Sequence, residues 1–281
     1  MKPYNEEKLK KAQEASLKIM LEVDRICRKH GLQYMLDSGT LLGAVRHQGF
    51  IPWDDDADLA MTRENYEAFR RVAAEELPET MQLVLPCEYR RGMAFYDFVP
   101  RVIYLPSRRH QEDEETAFYE EKLNHLWVDI FILDHLPDKD GEASFVRFRQ
   151  KCLYGLSMPR RYNVDFSKYS FLDKARVGFL GSLSMWFSMP GLYLRQERLS
   201  KKYNGKHTSR LYYSNYQPDF IDDSIDRAWI EPLTELSFEG HMFMAPNDYD
   251  KVLRTVYGDY MQLPPEEQRV PSHSDDIEVY E

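Results

Sequence analysis

Four aspartates within five positions lie between two apolar segments, in residues 50–61 (FIPWDDDADLAM). If residues 56–61 form a strand, side chains alternate between its faces, so that Ala57 and Leu59 enter a core. Three carboxylates would then share the opposite face: Asp54, Asp56 and Asp58. Like charges this close repel and raise one another's pKa unless a cation neutralises them. This run therefore predicts a core β-strand that carries an acidic site.

The acidic run offers hard carboxylate oxygens and no sulfur as ligands, and such a set favours Mg²⁺ or Mn²⁺. A solvated acidic turn is the alternative, but the run continues directly into strand-like residues. An EF-hand calcium loop starting at Asp54 is excluded by position. Its sixth residue must be Gly and is Leu59, and its twelfth must be Glu and is Asn65. The run therefore predicts a divalent-metal site suited to phosphate chemistry.

Composition limits the partners of such a site. The 281 residues are 43% hydrophobic with a formal net charge of -10, which supports a sizeable core and argues against a broad nucleic-acid-binding surface. A phosphate substrate would therefore require a metal ion and a few well-placed basic residues. The polar N-terminus does not resemble a signal peptide, and no run reaches the length of a membrane span. We expect a reduced, cytoplasmic protein whose widely spaced cysteines are small core residues: Cys27, Cys87 and Cys152.

A strand, a turn and a helix start precede the acidic run. Residues 32–36 indicate a short strand, and Gly39 and Thr40 lie where a helix begins and its free N–H groups favour an anion. Gly39 would let a ligand approach the backbone closely, and Thr40 would add a hydroxyl. Arg46 and His47 come at the end of this helix and are both candidates for substrate or phosphate binding. Arg46 is a candidate phosphate clamp, although the helix dipole alone also favours cations there.

The segment from Gly39 to Asp58, GTLLGAVRHQGFIPWDDDAD, resembles the signature of the LicD family. That family is related to fukutin and fukutin-related protein within the nucleotidyltransferase-fold superfamily. The resemblance implies an α+β (α/β-like) fold whose mixed sheet is flanked by helices. It also implies a transferase that moves a phosphorylated alcohol, often phosphocholine, from a cytidine diphosphate (CDP) donor to a glycan hydroxyl. The resemblance is clear over residues 32–134 and weaker over residues 238–273.

A second strand-like run, residues 126–134 (LWVDIFILD), is apolar except for its two carboxylates. An isolated carboxylate in such a strand is costly unless it is paired or metal-bound, although backbone N–H groups could also satisfy it. In nucleotidyltransferase folds a third carboxylate sits beside the paired ones, and Asp129 matches that role. The resemblance thus implies a metal site made by three carboxylates: Asp56, Asp58 and Asp129. Either Asp54 or Asp129 could accept the proton of the acceptor hydroxyl, and we favour Asp129.

Further candidates lie between the two acidic strands. Residues 93–105 are aromatic and β-branched and predict a pair of strands. Within them, Arg101 matches a basic residue of the LicD family and would either contact a donor phosphate or pair with a nearby acid. A choline headgroup requires aromatic faces and an acid, because a quaternary ammonium has no hydrogen bond to offer. Trp53 and Tyr96 are the candidates for that contact.

The chain is expected to have three parts: a nucleotidyltransferase-like catalytic core (1–137), a mostly helical insertion (138–235) and a C-terminal segment that packs back on the core (236–281). Within the insertion, residues 171–202 predict an amphipathic helix, interrupted by a proline and flanked by basic residues. This helix either contacts the inner face of a membrane or a lipid-linked acceptor, or packs into the core. The acidic tail, residues 275–281, is expected to be frayed.

The resemblance, together with the acidic site, implies a phosphotransferase that moves phosphocholine from CDP-choline to a hydroxyl of a cell-surface glycan precursor, such as teichoic acid, lipopolysaccharide or a glycolipid. The carboxylates contact only phosphate and metal, so transfer of ribitol phosphate, glycerol phosphate or a nucleotidyl group is an alternative on the same fold. A non-catalytic, metal-dependent glycan- or lipid-binding module is an alternative of another class. The combination of separated carboxylates with Gly39 and Thr40 argues against it, because binding alone would not require both.

Overall fold

The computed structural model describes residues 5–164, 170–206, 208–271 and 277–280. The helices in these ranges are α1 (Glu6–His30), α2 (Ser38–His47), α3 (Arg63–Glu76), α4 (Asp113–Phe118), α5 (Asp140–Ser157), α6 (Phe171–Ser184), α7 (Met189–Ser200), α8 (Arg227–Ile230) and α9 (Tyr249–Tyr257). The strands are β1 (Met35–Leu36), β2 (Asp58–Thr62), β3 (Met81–Val84), β4 (Arg101–Tyr104), β5 (Ser107–Arg109), β6 (Leu126–Leu136), β7 (Arg210–Tyr213), β8 (Ser224–Asp226), β9 (Thr234–Phe238), β10 (His241–Ala245) and β11 (Ile277–Val279). The fold is mixed α/β, as the sequence predicts.

Strand β6 is the centre of a 7-stranded mixed sheet. One of its edges pairs in parallel with β2, and the other pairs antiparallel with β4 near its start and with β7 near its end. The sheet continues through β1 beyond β2, through β3 beyond β4 and through β8 beyond β7. Because β6 has neighbours on both edges and is mostly buried, its sequence is an almost continuous apolar run.

Both predicted acidic strands are present, but their boundaries were predicted with different accuracy. The strand predicted over residues 126–134 is confirmed and continues to Leu136. The strand predicted over residues 56–61 begins only at Asp58, and residues 54–57 form an irregular loop. This loop starts from a turn in which the Asp54 N–H donates to the Ile51 carbonyl at 2.8 Å. Strand alternation therefore does not orient the carboxylates that precede Asp58.

The pair of strands predicted within residues 93–105 is wrong in part, because only β4 forms there. Immediately before β4, the Val99 N–H donates to the Asp97 carboxylate at 2.9 Å. Such a side-chain to backbone hydrogen bond competes with a strand ladder. Phe95, Tyr96 and Phe98 therefore lie in a loop, and their side chains do not alternate between two faces as they would in a strand.

The apolar face of residues 6–30 and the Gly31 that follows them predict a helix over this range. Helix α1 has these boundaries because both of its ends are capped. The Asn5 side chain accepts hydrogen bonds from two N–H groups of the first turn, at 3.0 and 3.1 Å. Gly31 follows the helix with a φ of 65°, the left-handed conformation that terminates helices. The apolar face of α1 is buried in the main core.

Residues 138–235 contribute to two layers of the fold. Helix α5 packs against α6 and α7, while β7 and β8 from the same range complete the central sheet. Two helices replace the single interrupted helix predicted over residues 171–202. The break precedes Pro190, because proline is favoured in the first turn of a helix and Ser188 Oγ caps α7 by accepting from the Gly191 N–H at 3.3 Å.

Within residues 171–202, the apolar side chains that the structure describes are divided between core and surface. Leu192 and Leu199 of α7 are buried, whereas Phe179 and Trp186 are 65% and 82% exposed. Neither packing alternative therefore describes the whole segment, and contact of its exposed part with a membrane stays a prediction. In the described parts of the chain, no helix combines the length and apolarity required to cross a membrane.

Two local expectations are wrong. Cys27 is buried, but Cys87 is exposed and Cys152 only half-buried, because Cys87 lies in a surface turn after Pro86. The acidic tail is not frayed throughout, since β11 pairs antiparallel with β5 and buries Ile277. The other tail residues, 275–276 and 281, lie outside the described residues.

Candidate active site

The register of three adjacent strands places charged side chains in one row. Asp58 of β2 is opposite Asp129 of the parallel strand β6, and Arg101 of the antiparallel strand β4 is opposite Asp129 on the other edge. Side chains in register project from the same face of a sheet. Arg101 Nε donates to Asp129 Oδ1 at 2.8 Å. The fold therefore brings the two acidic strands together at one point.

The loop before β2 adds a compact carboxylate group to this row. One oxygen from each of Asp54, Asp55 and Asp56 lies within 4.8 Å of the others, and the described residues contain no other such group of three. These ligands could hold Mg²⁺ or Mn²⁺, which prefer oxygen donors. Of the three ligands predicted from the sequence, only Asp56 belongs to this group. Asp55 was missed because a regular strand would have directed it away from the others.

The carboxylates of the site oppose one another's ionisation. Burial and the neighbouring Asp56 charge raise the pKa of Asp54 to about 9. Burial, followed by the Asp56 and Asp129 charges, raises the pKa of Asp58 well above its ordinary value. Burial also raises the pKa of Asp129, against the opposing effect of Arg101. A bound divalent cation would relieve this repulsion, so the donor set and its electrostatics both fit a metal ion.

We expect the metal-free protein to lose stability as the pH rises from 5 to 8.5. The folded-state pKa of Asp54 is about 9, whereas an unfolded aspartate has a pKa of about 4. The folded state therefore keeps protons that the unfolded state has lost, and stability falls as pH rises through this window. Because Mg²⁺ binds ionised carboxylates, it should raise the Tm more at pH 8.5 than at pH 5.

Thermal melts with EDTA and with Mg²⁺ at both pH values measure these two effects. The variant Asp54→Asn is the control, and its Tm in EDTA should depend less on pH because the group with the raised pKa is absent. An equal Mg²⁺ effect at the two pH values, or none at either, would contradict this account of the site.

Two helices, α1 and α2, fix the positions of the carboxylates. A Cβ on Gly39 would lie 2.6 Å from Asp54 Oδ2, so only glycine allows the carboxylate to approach the helix start as it does. Thr40 is buried, and its Oγ1 accepts from the Asp58 N–H at 2.8 Å. From α1, Gln13 Nε2 donates to the Asp54 carbonyl at 2.8 Å. Gly39 and Thr40 thus position the acidic side chains of this site.

The last two residues of α2 contact the C-terminal segment. Arg46 Nη1 donates to the Tyr260 carbonyl at 2.9 Å, and Arg46 Nε donates to His47 Nε2 at 2.9 Å. His47 also contacts the Trp53 ring edge-on, with ring centroids 6.3 Å apart. Neither Arg46 nor His47 lines the pockets described below. The structure therefore does not bring the predicted phosphate clamp to the carboxylates.

We call the carboxylates of Asp54, Asp55, Asp56, Asp58 and Asp129 the acidic row. Two pockets open beside it, and both are lined by Asp56, Asp58 and Tyr216. The first has a volume of about 290 Å³, and we name it the arginine pocket after its basic side chains: Arg101, Arg109 and Arg161. The second has a volume of about 330 Å³, and the described residues that line it include no Arg or Lys. We name it the aromatic pocket after its rings: Trp53, Tyr213, Tyr216, Phe220 and Tyr257.

Guanidinium groups and aromatic rings alternate along the wall of the arginine pocket. The guanidinium carbon of Arg109 lies 4.0 Å from the Trp127 ring centroid, and that of Arg101 lies 4.7 Å from the same ring. The Tyr96 ring lies between Arg101 and Arg161, whose guanidinium carbons are 5.2 and 5.1 Å from its centroid. Burial lowers the pKa of Arg109, and no carboxylate of the described chain forms an ion pair with it. This wall suits an anionic ligand.

Arg101 is a buried ion-pair partner, which agrees with one of the two roles predicted for it. Its side chain is 1% exposed, and besides Asp129 its Nη2 donates to Asp97 Oδ2 at 2.8 Å. Its Nη1 donates to the Tyr89 hydroxyl at 3.2 Å. Trp127 Nε1 donates to the second oxygen of Asp129 at 3.3 Å. Arg101 therefore holds Asp129 in a fixed orientation.

The pocket walls include residues that sequence reasoning missed: Asp97, Arg109, Trp127, Arg161, Tyr216, Phe220, Asp223 and Tyr257. Most of them come from separate elements, and no local motif marks them in the sequence. The two aromatic residues proposed for a headgroup are divided between the pockets. Trp53 lines the aromatic pocket, and Tyr96 lines the arginine pocket.

Comparisons with known proteins agree with this architecture. A family model described as LicD/FKTN/FKRP, nucleotidyltransferase domain, matches residues 31–175. The chain is 29% identical over 284 aligned positions to lipopolysaccharide cholinephosphotransferase LicD of Haemophilus influenzae, covering 94% of this chain and 96% of that protein. It is 32% identical over 101 residues to human ribitol 5-phosphate transferase FKRP, covering 36% of this chain and 17% of that protein. The chain belongs to the LicD/FKTN/FKRP nucleotidyltransferase family.

Proposed function

We propose that this protein is a metal-dependent phosphotransferase that moves phosphocholine from CDP-choline to a hydroxyl of a cell-surface glycan precursor. The observation that carries this proposal is the acidic row, in which Asp58 is in register with Asp129 and lines two pockets of different character. The similarity to a cholinephosphotransferase extends over 94% of the chain. It therefore includes the elements that build both pockets, and it supports the choice of phosphocholine.

In the proposed reaction, the carboxylate group of the loop before β2 would hold Mg²⁺ or Mn²⁺ through Asp54, Asp55 and Asp56, with Asp58 beside them. A bound divalent cation would neutralise the donor diphosphate and stabilise the charge on the departing cytidine monophosphate (CMP). Because this net-negative site would otherwise repel phosphates, the cation is also what allows a CDP-alcohol to bind beside the carboxylates.

The side chains of the arginine pocket have separate tasks in this proposal. Arg109 and Arg161 bind the anionic part of the donor, since guanidinium groups match phosphate oxygens in charge and geometry. Arg101 orients Asp129. We assign the acceptor proton to Asp129, because Asp54 lies in the group that would hold the cation and because burial raises the pKa of Asp129.

The test is CMP release from CDP-choline, measured with Mg²⁺ and with EDTA, using choline-free bacterial glycolipid extracts as acceptors. We expect release that requires both Mg²⁺ and the acceptor, together with incorporation of labelled choline into the glycolipid. CDP-ribitol and CDP-glycerol serve as competing donors. Release from none of the three donors would overturn the proposed activity and favour the non-catalytic binding module.

Ribitol phosphate transfer is the second candidate, favoured by the partial similarity to human FKRP. The carboxylates do not distinguish the two alcohols, because they act on phosphate and metal. Release from CDP-ribitol but not from CDP-choline would select this candidate and keep the assignment of the acidic site.

A further inference from the structure

The aromatic pocket combines rings with negative charge. Its lining includes the five aromatic side chains named above and, beyond the carboxylates of the acidic row, the additional acid Asp223. Among the described residues no basic side chain lines it, whereas three line the arginine pocket. The two pockets therefore differ in the sign of charge that they favour, although they share Asp56 and Asp58. A ligand that spans both should be anionic at one end and cationic at the other.

Two successive turns in the segment that follows β7 hold Phe220 and Asp223 close together. The Asp223 N–H donates to the Phe220 carbonyl at 3.2 Å, and the Phe220 N–H donates to the Gln217 carbonyl at 3.1 Å. The Phe220 ring stacks on Tyr216, with centroids 4.4 Å apart and an interplanar angle of 13°. The Tyr216 ring in turn packs against the Phe131 ring, with centroids 4.2 Å apart. These rings form a fixed wall of the pocket.

The Asp223 carboxylate has no hydrogen bond or ion pair with the described residues, although it is half-buried. Burial and the neighbouring Asp222 raise its pKa, and Arg147 opposes this effect. Asp222, the next residue back, is instead exposed and paired with Lys151 at 2.5 Å. Asp223 thus presents a carboxylate to a pocket that is lined in large part by aromatic rings. Arg147 acts on its pKa only from a distance, because no described residue forms an ion pair with Asp223.

We propose that the aromatic pocket is the subsite for the quaternary ammonium group of the transferred alcohol, with Phe220, Tyr216, Tyr257 and Trp53 as its walls and Asp223 as its counter-ion. A trimethylammonium group is attracted by ring faces and by a carboxylate, and it requires no hydrogen bond. The subsite rests on the proposed function, because the phosphate next to this group would then lie at the row shared by both pockets. The nucleotide end would occupy the arginine pocket.

The binding test uses choline and its neutral isostere 3,3-dimethyl-1-butanol, measured by ligand-observed NMR on the full chain without nucleotide. The unmodified protein should bind choline at least about tenfold more tightly than the isostere. Asp223→Asn should remove most of this preference, and Phe220→Leu should weaken choline binding by about tenfold. Asp222→Asn removes the same charge one residue away and should leave binding unchanged. Equal binding of choline and isostere, or equal effects of Asp222→Asn and Asp223→Asn, would overturn the subsite.

Turnover separates this inference from the proposed function. We expect Asp223→Asn to raise the KM for CDP-choline about tenfold with little change in kcat, because it acts on the headgroup rather than on phosphate. Normal KM in folded Asp223→Asn and Phe220→Leu would overturn the subsite and leave the activity standing. Choline binding that depends on Asp223, without CMP release from CDP-choline, would support the subsite and overturn the activity. Asp223→Asn changes only a charge, so it keeps the test valid if Phe220→Leu loses stability.

Discussion

Replacing Asp56 by Asn is expected to lower the rate of CMP release by about 10²–10³-fold while leaving the fold intact. Asp56 lines both pockets and belongs to the compact carboxylate group, so its charge acts where the donor phosphates would bind. Its side chain is exposed, and its negative charge raises the pKa of both Asp54 and Asp58. Removing that charge relieves repulsion, so the Tm without metal should stay the same or rise.

The combination of lost activity with retained or increased stability is the specific part of this prediction. Asp259→Asn is the control, because Asp259 is exposed and lies outside both pockets. Steady-state CMP release and thermal melts in EDTA measure the two quantities. Unchanged turnover in Asp56→Asn would refute the site assignment, and a lower Tm would show that Asp56 has a structural role.

Replacing Arg101 by Met is expected to cost about 3–5 kcal/mol of folding stability at pH 7.5, a Tm decrease of about 6–12 °C. The guanidinium is buried and donates to Asp97 and Asp129 at 2.8 Å each. Its removal leaves two largely buried carboxylates without a counter-ion. The cost should be smaller at pH 5, because protonation of Asp129 in the variant removes part of the uncompensated charge. Activity should also fall, because Asp129 loses the group that orients it.

Arg108→Met provides the matched comparison, since Arg108 is an exposed arginine of β5 and its replacement should change stability by less than about 0.5 kcal/mol. The double variant Arg101→Met/Asp129→Asn should recover part of the lost stability. Chemical denaturation at the two pH values measures each free energy of unfolding. A cost that does not depend on pH, or no recovery in the double variant, would show that the loss comes from packing rather than from unpaired charge.

The C-terminal segment shows how much of the fold was readable locally. The sequence predicts a helix from about Tyr249 to Tyr257 that stops at Gly258. The structure confirms this helix, and Gly258 follows it with a φ of 63°. Helix α1 and strand β6 were likewise predicted from periodicity, capping residues and apolar runs. All of these signals act over one to three turns or a few strand positions, so the sequence displays them directly.

The acidic run shows where local reasoning fails. Its carboxylates were identified correctly as a cluster, but the strand begins two residues later than predicted, at Asp58. Three contacts determine the path of the loop: the turn at Ile51, the hydrogen bond from the Gln13 side chain and the close approach of Asp54 to Gly39, which has no side chain. These contacts come from three separate elements. The compact group therefore includes Asp55, which a regular strand would have turned away.

The sequence by itself determined the carboxylates, their two strands, the helix start before them and the resemblance to a family. Only the tertiary structure decided which side chains meet them: Arg101 by its register with Asp129, and Arg109, Arg161, Tyr216 and Phe220 by the packing of distant elements. The physical reason is that periodicity and capping are encoded over neighbouring residues. A pocket instead forms where residues far apart in the chain are brought together by strand register and burial, and no local pattern records that meeting.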